Sequence, residues 1–363
     1  MSMATGSTVE NTLPSPRVVL FLGAGASAPL GKKLMGDFID LLSDVRAVGD
    51  SRLFKSIIAK RKDLEFLLEE LADLREKSYL PDELLKIGKP TLSPPVKLPL
   101  LSAGGTRAVF DELANEADLL DYTIRGQIFH HYRSFENPER VHQHFIPLID
   151  EVSGMLPHDE PIIVFTTNYD LGIEVFCREA RDKFALTDGF AFDAVFQEMV
   201  WQSDFIERWK PTGNDKRDII LIKLHGSTNW LRRGDRIVRG PEVYTAYDPL
   251  VSNVLIYPAE RKVTVGDPFF TGYHYLQQIL ANAECLVSVG YSFRDMDALT
   301  RVKSAVRSNP KFRIAVITPD AKPLAERLSK SGIRAEPFTQ PYYPPHSNES
   351  FIQTLRNFFG GAR

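Results

Sequence analysis

Residues Arg17–Gly31 read RVVLFLGAGASAPLG, and this stretch decides the fold. Val18–Leu22 is an unbroken apolar run, the pattern of a strand covered on both faces rather than one. It runs directly into Gly23, Ala24, Gly25, Ala26 and Ser27, a tight turn that opens a helix. A buried strand, a glycine turn and a helix make the opening unit of a doubly wound sheet.

Five later stretches repeat the pattern: PIIVFTTNYD (161–170), DIILIKLHGSTNW (218–230), NVLIYPAE (253–260), CLVSVGYSFRDMD (285–297) and FRIAVITPD (312–320). Each is a short apolar run that stops abruptly in polar residues or glycine. Helical patterns such as TGYHYLQQILANAE and AKPLAERLSKSG lie between several of them. The fold class is therefore α/β, a doubly wound, mostly parallel, Rossmann-like sheet. The polar tips collect at the C-terminal ends of the strands, the edge where open α/β sheets bind ligands.

The gap between the first two strands is too long for a simple crossover. We read about 37–150 as a helical insertion that covers the crevice. Leu64, Leu67, Leu68, Leu71 and Leu74 fall on one helical face. The Pro- and Gly-rich stretch around 88–105 reads as a long loop placed to gate the pocket. Residues 1–16 read as a flexible arm without the basic region and apolar core of a secretory signal. The remainder, 17–363, reads as one domain, and its last helix, ESFIQTLRNFF, is expected to dock on the sheet.

The candidate site residues stand at the strand tips, each with a purely structural alternative. Gly23 and Gly25 let a backbone approach a diphosphate at a helix N-terminus, or simply make a tight turn. The third glycine of the dinucleotide fingerprint is missing, and no P-loop lysine is present. Asn168 carries a donor and an acceptor suited to a ribose hydroxyl or a water, or it starts an Asx turn. Asp170 reads as the cap of the following helix. His225 is placed to act as a general base, or is a structural histidine. Ser227, Asn229 and Trp230 line the same pocket or shape the turn. Gly290 and Ser292 suit phosphate or ribose, and Asp295 and Asp297 either cap a helix or bind hydroxyls. The arginine-rich NWLRRGDRIVRG reads as a solvated hairpin.

Composition excludes several classes. A formal net charge of −3 provides no general attraction to nucleic acid. Two cysteines, Cys177 and Cys285, are too few for a structural zinc site, so no metal is expected. His130, His131, His142 and His144 have no cysteine or carboxylate cluster beside them in sequence. Both thiols read as buried in a reducing compartment, and without an apolar run of about 20 residues the cytoplasm is the expected location.

In this order, GAGAS (23–27), TTNYD (166–170), LHGS (224–227) and GYSFRD (290–295) resemble the sirtuin-like superfamily. The specific resemblance is to the bacterial sirtuin-like NAD hydrolases of anti-phage defence, as is that of DLEFLLEEL (63–71). Sirtuin deacetylases follow the glycine turn with Pro-Asp-Phe-Arg, where GKKLMGDF stands here, and carry a four-cysteine zinc module that this chain lacks. The resemblance implies NAD+ as substrate, cleaved to nicotinamide and ADP-ribose, with cyclic ADP-ribose as the variant product. It implies Asn168 and His225 as catalytic residues. It also implies an NAD cradle made by Gly23, Ala24, Gly25, Ser27, Asp37, Gly290, Ser292 and Asp295, with Thr318 or Asp320 reaching the adenosine ribose. A homo-oligomer is expected, controlled by a HerA-like ring ATPase or an Argonaute-type partner, with no nucleic acid or membrane bound directly. The alternatives are an NAD-dependent protein deacylase and a non-catalytic NAD- or nucleotide-sensing module.

Overall fold

The structure, a computed structural model, describes residues 16–78, 103–213, 215–240, 253–256, 266–340 and 349–360. The N-terminal arm to residue 15 and the Pro-rich loop up to 102, with its gating role, lie outside the described residues. Two sheets carry the described strands. The first is seven-stranded and parallel throughout. It contains β1 (Val18–Leu22), β2 (Ile162–Thr166), β3 (Phe184–Thr187), β6 (Arg217–Lys223), β10 (Cys285–Val289), β11 (Arg313–Ile317) and β12 (Glu336–Phe338). Their order is β12-β11-β10-β1-β2-β6-β3. The chain grows from β1 towards β2 and β6, then returns to β1 and grows the other way through β10. The switch point thus falls between β1 and β10, where such sheets form a crevice.

Burial on both faces explains the unbroken apolar runs. Val18, Leu20 and Leu22 point into one core with the helix Pro138–Met155 and the C-terminal helix Glu349–Gly360. Val19 and Phe21 point into a second core, under the helices Phe269–Asn282, Met296–Ser308 and Ala321–Lys330. The C-terminal helix docks through Leu355 and Phe358, both buried.

The helical excursion has a core of its own, built from Phe38 to Tyr132 and completed by Tyr169. Leu64, Leu67, Leu68, Leu71 and Leu74 are all buried in it. The helix Pro138–Met155 instead lies on the sheet and serves as the crossover into β2. Tyr169 joins the two units. Its ring meets Tyr132 edge-on at 5.8 Å, its hydroxyl donates to Ile256 O at 2.6 Å, and its carbonyl accepts from Thr228 N at 3.1 Å.

Two sequence readings are corrected. The described part of NVLIYPAE does not supply another parallel strand: β9 (Asn253–Leu255) pairs antiparallel with β7 (Gly226–Arg233) in the second sheet. A short apolar run carries no periodicity that tells parallel from antiparallel pairing. That second sheet, β4-β5-β8-β7-β9, also holds β4 (Phe190–Asp193), β5 (Glu198–Trp201) and β8 (Arg236–Arg239). The β7–β8 hairpin turns at Gly234 as its sequence suggests, but it is not simply solvated. Leu231, Ile237 and Val238 are buried against the rest of the sheet.

Candidate functional site

The C-terminal tips of β1, β2, β6, β10 and β11 share one edge. At the switch point the tips of β1 and β10 touch backbone to backbone. Gly25 N donates to Gly290 O at 2.9 Å, and Gly23 N to Val289 O at 2.9 Å. A Cβ on Gly25 would stand 2.7 Å from Gly290 Cα, and one on Gly23 would stand 2.5 Å from Tyr291 Cα. These glycines are therefore required by chain-to-chain approach. The helix that follows, Ala24–Ser27, is a single turn, and Gly31 at φ +90° ends the 3₁₀ turn after it. Lys32 then crosses to the far end of the long helix Ala103–Tyr132 and donates to His131 O at 2.6 Å and Ser134 O at 2.5 Å. A cation suits the negative end of a helix.

Asn168 sits just past the tip of β2. Its Nδ2 donates to Gly23 O at 3.0 Å and Ser27 Oγ at 3.2 Å, and its backbone N–H is held by Thr166 Oγ1 at 3.0 Å. The carbonyl of Gly23 accepts only, so the amide must present its nitrogen there, and Oδ1 is turned away. A small cavity of about 10 Å³ lies beneath, lined by Ser27, Thr166, Asn168, Asp170 and Glu174. That is about the space of one water. Below it Lys223, at the end of β6, is buried against Glu174 at 2.9 Å and also donates to Asp170 O. Burial pushes the Glu174 carboxyl up, and the Lys223 charge opposes it. Asp170 Oδ1 accepts from Gly172 N at 2.9 Å, an Asx turn just before the helix Gly172–Glu179. The cap position is Leu171 and no side chain caps the helix, so the reading of Asp170 as the cap itself is corrected.

His225 occupies the short joint between β6 and β7. Gly226, at φ +82°, lets the chain pass from one sheet to the other, and a Cβ there would stand 1.9 Å from Val254 O. His225 is buried, and its Nε2 lies 2.6 Å from Asp295 Oδ2 and 3.1 Å from Tyr273 OH. Tyr273 OH donates to the same Asp295 oxygen at 2.6 Å. Asp295 also caps the helix Met296–Ser308, its Oδ1 accepting from Asp297 N at 2.9 Å and Ala298 N at 3.2 Å. Burial, then Asp295, hold the Tyr273 phenol well above its ordinary range.

The structure thus brings Gly23, Gly25, Ser27 and Asn168 together, with Gly290 packed on the turn, and joins His225 to Asp295. Ala24 lies in the one-turn helix. Ser292 is exposed, and its carbonyl accepts from Arg327. Asp37 is exposed on the first turn of the helix Met35–Asp44, without a hydrogen bond or ion pair to the other candidates. Thr318 and Asp320 follow β11 at the same edge. Sequence reasoning missed Tyr273, Lys223 and Glu174. Their only signal is a polar group inside an apolar pattern, which does not name a partner.

The remaining candidates do other work. His144 is buried and donates from Nε2 to Ala26 O at 2.7 Å, and burial lowers its pKa to about 4. His131 accepts from Lys33 N at 2.8 Å. Cys177 and Cys285 sit on separate elements, and burial raises both thiols, Cys285 to about 12, away from thiolate chemistry. No group of three or more potential metal ligands occurs among the described residues, and no described helix is long and apolar enough to cross a membrane. A separate cavity of about 970 Å³ opens at the opposite, N-terminal edge of the sheet, between Arg17, Glu284, Arg313 and Phe358.

Residues 162–336 match the SIR2-like domain. The matched stretch runs from β2 into β12 and holds Asn168, His225, Tyr273 and Asp295. β1 and the glycine turn precede the SIR2-like match and complete its sheet. Solved structures similar to the chain include a Sir2 homolog–NAD complex (14% identity, 95% of this chain and 90% of that chain covered, TM-score 0.43). A mutant Sir2 homologue with 2'-O-acetyl ADP ribose is similar at 13% identity, covering 94% and 92%, TM-score 0.42. A Sir2 protein bound to a propionylated peptide follows at 11% identity, covering 95% and 94%, TM-score 0.38. No protein of curated function matches the chain.

Proposed function

We propose that this chain is an NAD+ glycohydrolase that releases nicotinamide and ADP-ribose. The observation that carries the reading is the pairing of two polar tips within the SIR2-like stretch. Asn168 and His225 follow the neighbouring strands β2 and β6 at the C-terminal edge of the sheet, and each is held by its own hydrogen bonds. The nicotinamide–ribose bond breaks with its electron pair leaving on nicotinamide, and water captures the resulting oxocarbenium ion. Asn168, its carbonyl oxygen turned away from the Gly23 carbonyl, orients a ribose hydroxyl or that water. His225 accepts the proton given up as the new C–O bond forms. Positioned proton transfer of this kind contributes about 10²–10⁴-fold. The rest of the nucleotide lies against the glycine turn. Gly23, Gly25 and Gly290, whose backbone N–H groups are engaged within the chain, give it a surface without side chains, and Ala24, Ser27, Asp37 and Ser292 make up the remainder of the cradle. The two cysteines do not suit a zinc module.

The biological part of the reading rests on the motif resemblance. Emptying the NAD pool is a defence effector's action, in the cytoplasm, restrained by assembly into a homo-oligomer or with a ring ATPase of the HerA kind. The test is to incubate the purified chain with NAD+ and follow nicotinamide, with Asn168→Ala and His225→Ala alongside. We expect release by the wild type and a loss of at least about 100-fold in either variant. Release that needs an acylated peptide would replace the reading with a deacylase. Tight NAD+ binding without cleavage, with or without the ring ATPase, would replace it with a sensing module.

A further inference from the structure

Asp295 reads from sequence as part of the nucleotide cradle, yet its surroundings assign it elsewhere. A carboxylate offers about four acceptor positions. Four donors meet Asp295: His225 Nε2 and Tyr273 OH at Oδ2, each at 2.6 Å, and the amides of Asp297 and Ala298 at Oδ1. Those contacts use the acceptor capacity that a ribose hydroxyl would need. Asp295, Tyr273 and His225 are all buried, and Arg301 covers the Tyr273 ring at 4.7 Å while donating to Tyr273 O. The three residues come from three elements: the β6–β7 joint, the middle of one helix and the first cap of the next. Asp295 follows β10 and His225 follows β6, so their contact reaches over the ends of β1 and β2, which lie between those strands.

We infer that Asp295 and Tyr273 are positioning residues for His225 rather than contacts to the nucleotide. The carboxylate accepts only, so the histidine hydrogen sits on Nε2. Tyr273, bonded to the same oxygen, fixes the carboxylate's rotamer and closes off a second orientation. The ring plane and tautomer are set before any substrate arrives. When His225 accepts a proton, the adjacent carboxylate stabilises the imidazolium, as an orienting carboxylate does for a catalytic histidine. The inference rests on the reading of His225 as the proton acceptor for its kinetic consequence, but the tautomer assignment stands without it.

The experiment uses the full chain with ¹⁵N-labelled histidine and assigns His225 by the resonance lost in His225→Gln. The wild type should show hydrogen on Nε2. In Asp295→Asn the amide can donate as well as accept, so the enforced tautomer should become a mixture. kcat should fall about 10²–10⁴-fold while KM for NAD+ stays within about twofold. Tyr273→Phe keeps the carboxylate, so it should keep the tautomer and lose about tenfold in kcat; it also serves if Asp295→Asn does not fold. Hydrogen on Nδ1 in the wild type overturns the inference whatever the activity. A raised KM with kcat intact would make Asp295 a nucleotide ligand, and a gain in activity would make the contact a restraint on the site; both overturn it. An Nε2-protonated His225 in a wild type that never cleaves NAD+ would refute the glycohydrolase reading and leave the tautomer assignment standing.

Discussion

Replacing Gly290 by alanine tests whether the switch point is held by direct backbone contact. Gly290 lies at φ +60°, and a Cβ there would stand 2.2 Å from Ala26 N and 2.3 Å from Gly25 C. An L-residue in the left-handed region costs roughly 1–2 kcal/mol. The collision adds roughly 1–3 kcal/mol, because the opposing atoms are backbone and have no rotamer to escape into. Gly332 provides the control: its φ is +80°, but nothing lies within 4 Å of the position a Cβ would take. Gly332→Ala should therefore lose only the conformational part, about 1–2 kcal/mol, and Gly290→Ala about 2–5 kcal/mol. Urea unfolding followed by far-ultraviolet circular dichroism reads both midpoints against the wild type. Gly290→Ala should also weaken NAD+ binding, since the tips of β1 and β10 must part. Equal losses in the two variants would refute the argument that Gly25 and Gly290 are glycines for close approach.

Other consequences follow from the buried charges. Lys223→Met leaves the Glu174 carboxylate buried without its cation, which should cost about 3–5 kcal/mol. The double variant Lys223→Met/Glu174→Leu should regain much of that loss; a single variant within 1 kcal/mol of wild type would count against the pair. His144 gives a pH dependence with a definite sign. Its pKa is about 4 in the folded chain against an ordinary 6.5, so between those values the unfolded chain binds the extra proton. Stability should therefore be full above pH 6.5 and fall by about 3 kcal/mol as the pH drops to 4. His144→Gln, which can still donate to Ala26 O, should remove about one proton from that slope; an unchanged slope would show that His144 does not carry it.

Apolar periodicity and strand-tip chemistry were legible without coordinates. The runs at Val18–Leu22, Ile162–Thr166 and Cys285–Val289 are strands because both faces of a parallel sheet are covered, and a covered face favours apolar residues, with Thr166 and Ser288 the buried polar exceptions. The leucine face of the insertion was readable for the same reason at helical spacing. The pairing of Asn253–Leu255 was not readable, because three residues carry no direction. Nor was the division of the long gap. The helix Pro138–Met155 has an apolar face like those before it, and only its packing partner shows that it belongs to the sheet.

Sequence alone determined which residue types would stand at the crevice: the glycine turn, Asn168, His225, Gly290 and Asp295 all follow apolar runs, and a strand's end is set by local pattern. Tertiary structure alone decided what each one touches. His225, Tyr273 and Asp295 are separated by 48 and 22 residues along the chain. They meet because β6 and β10 lie on opposite sides of β1 and β2 and the intervening helix covers their shared face. A hydrogen bond acts over about 3 Å. The pairing that forms is therefore a property of strand order and helix packing, neither of which is written in any local stretch of residues.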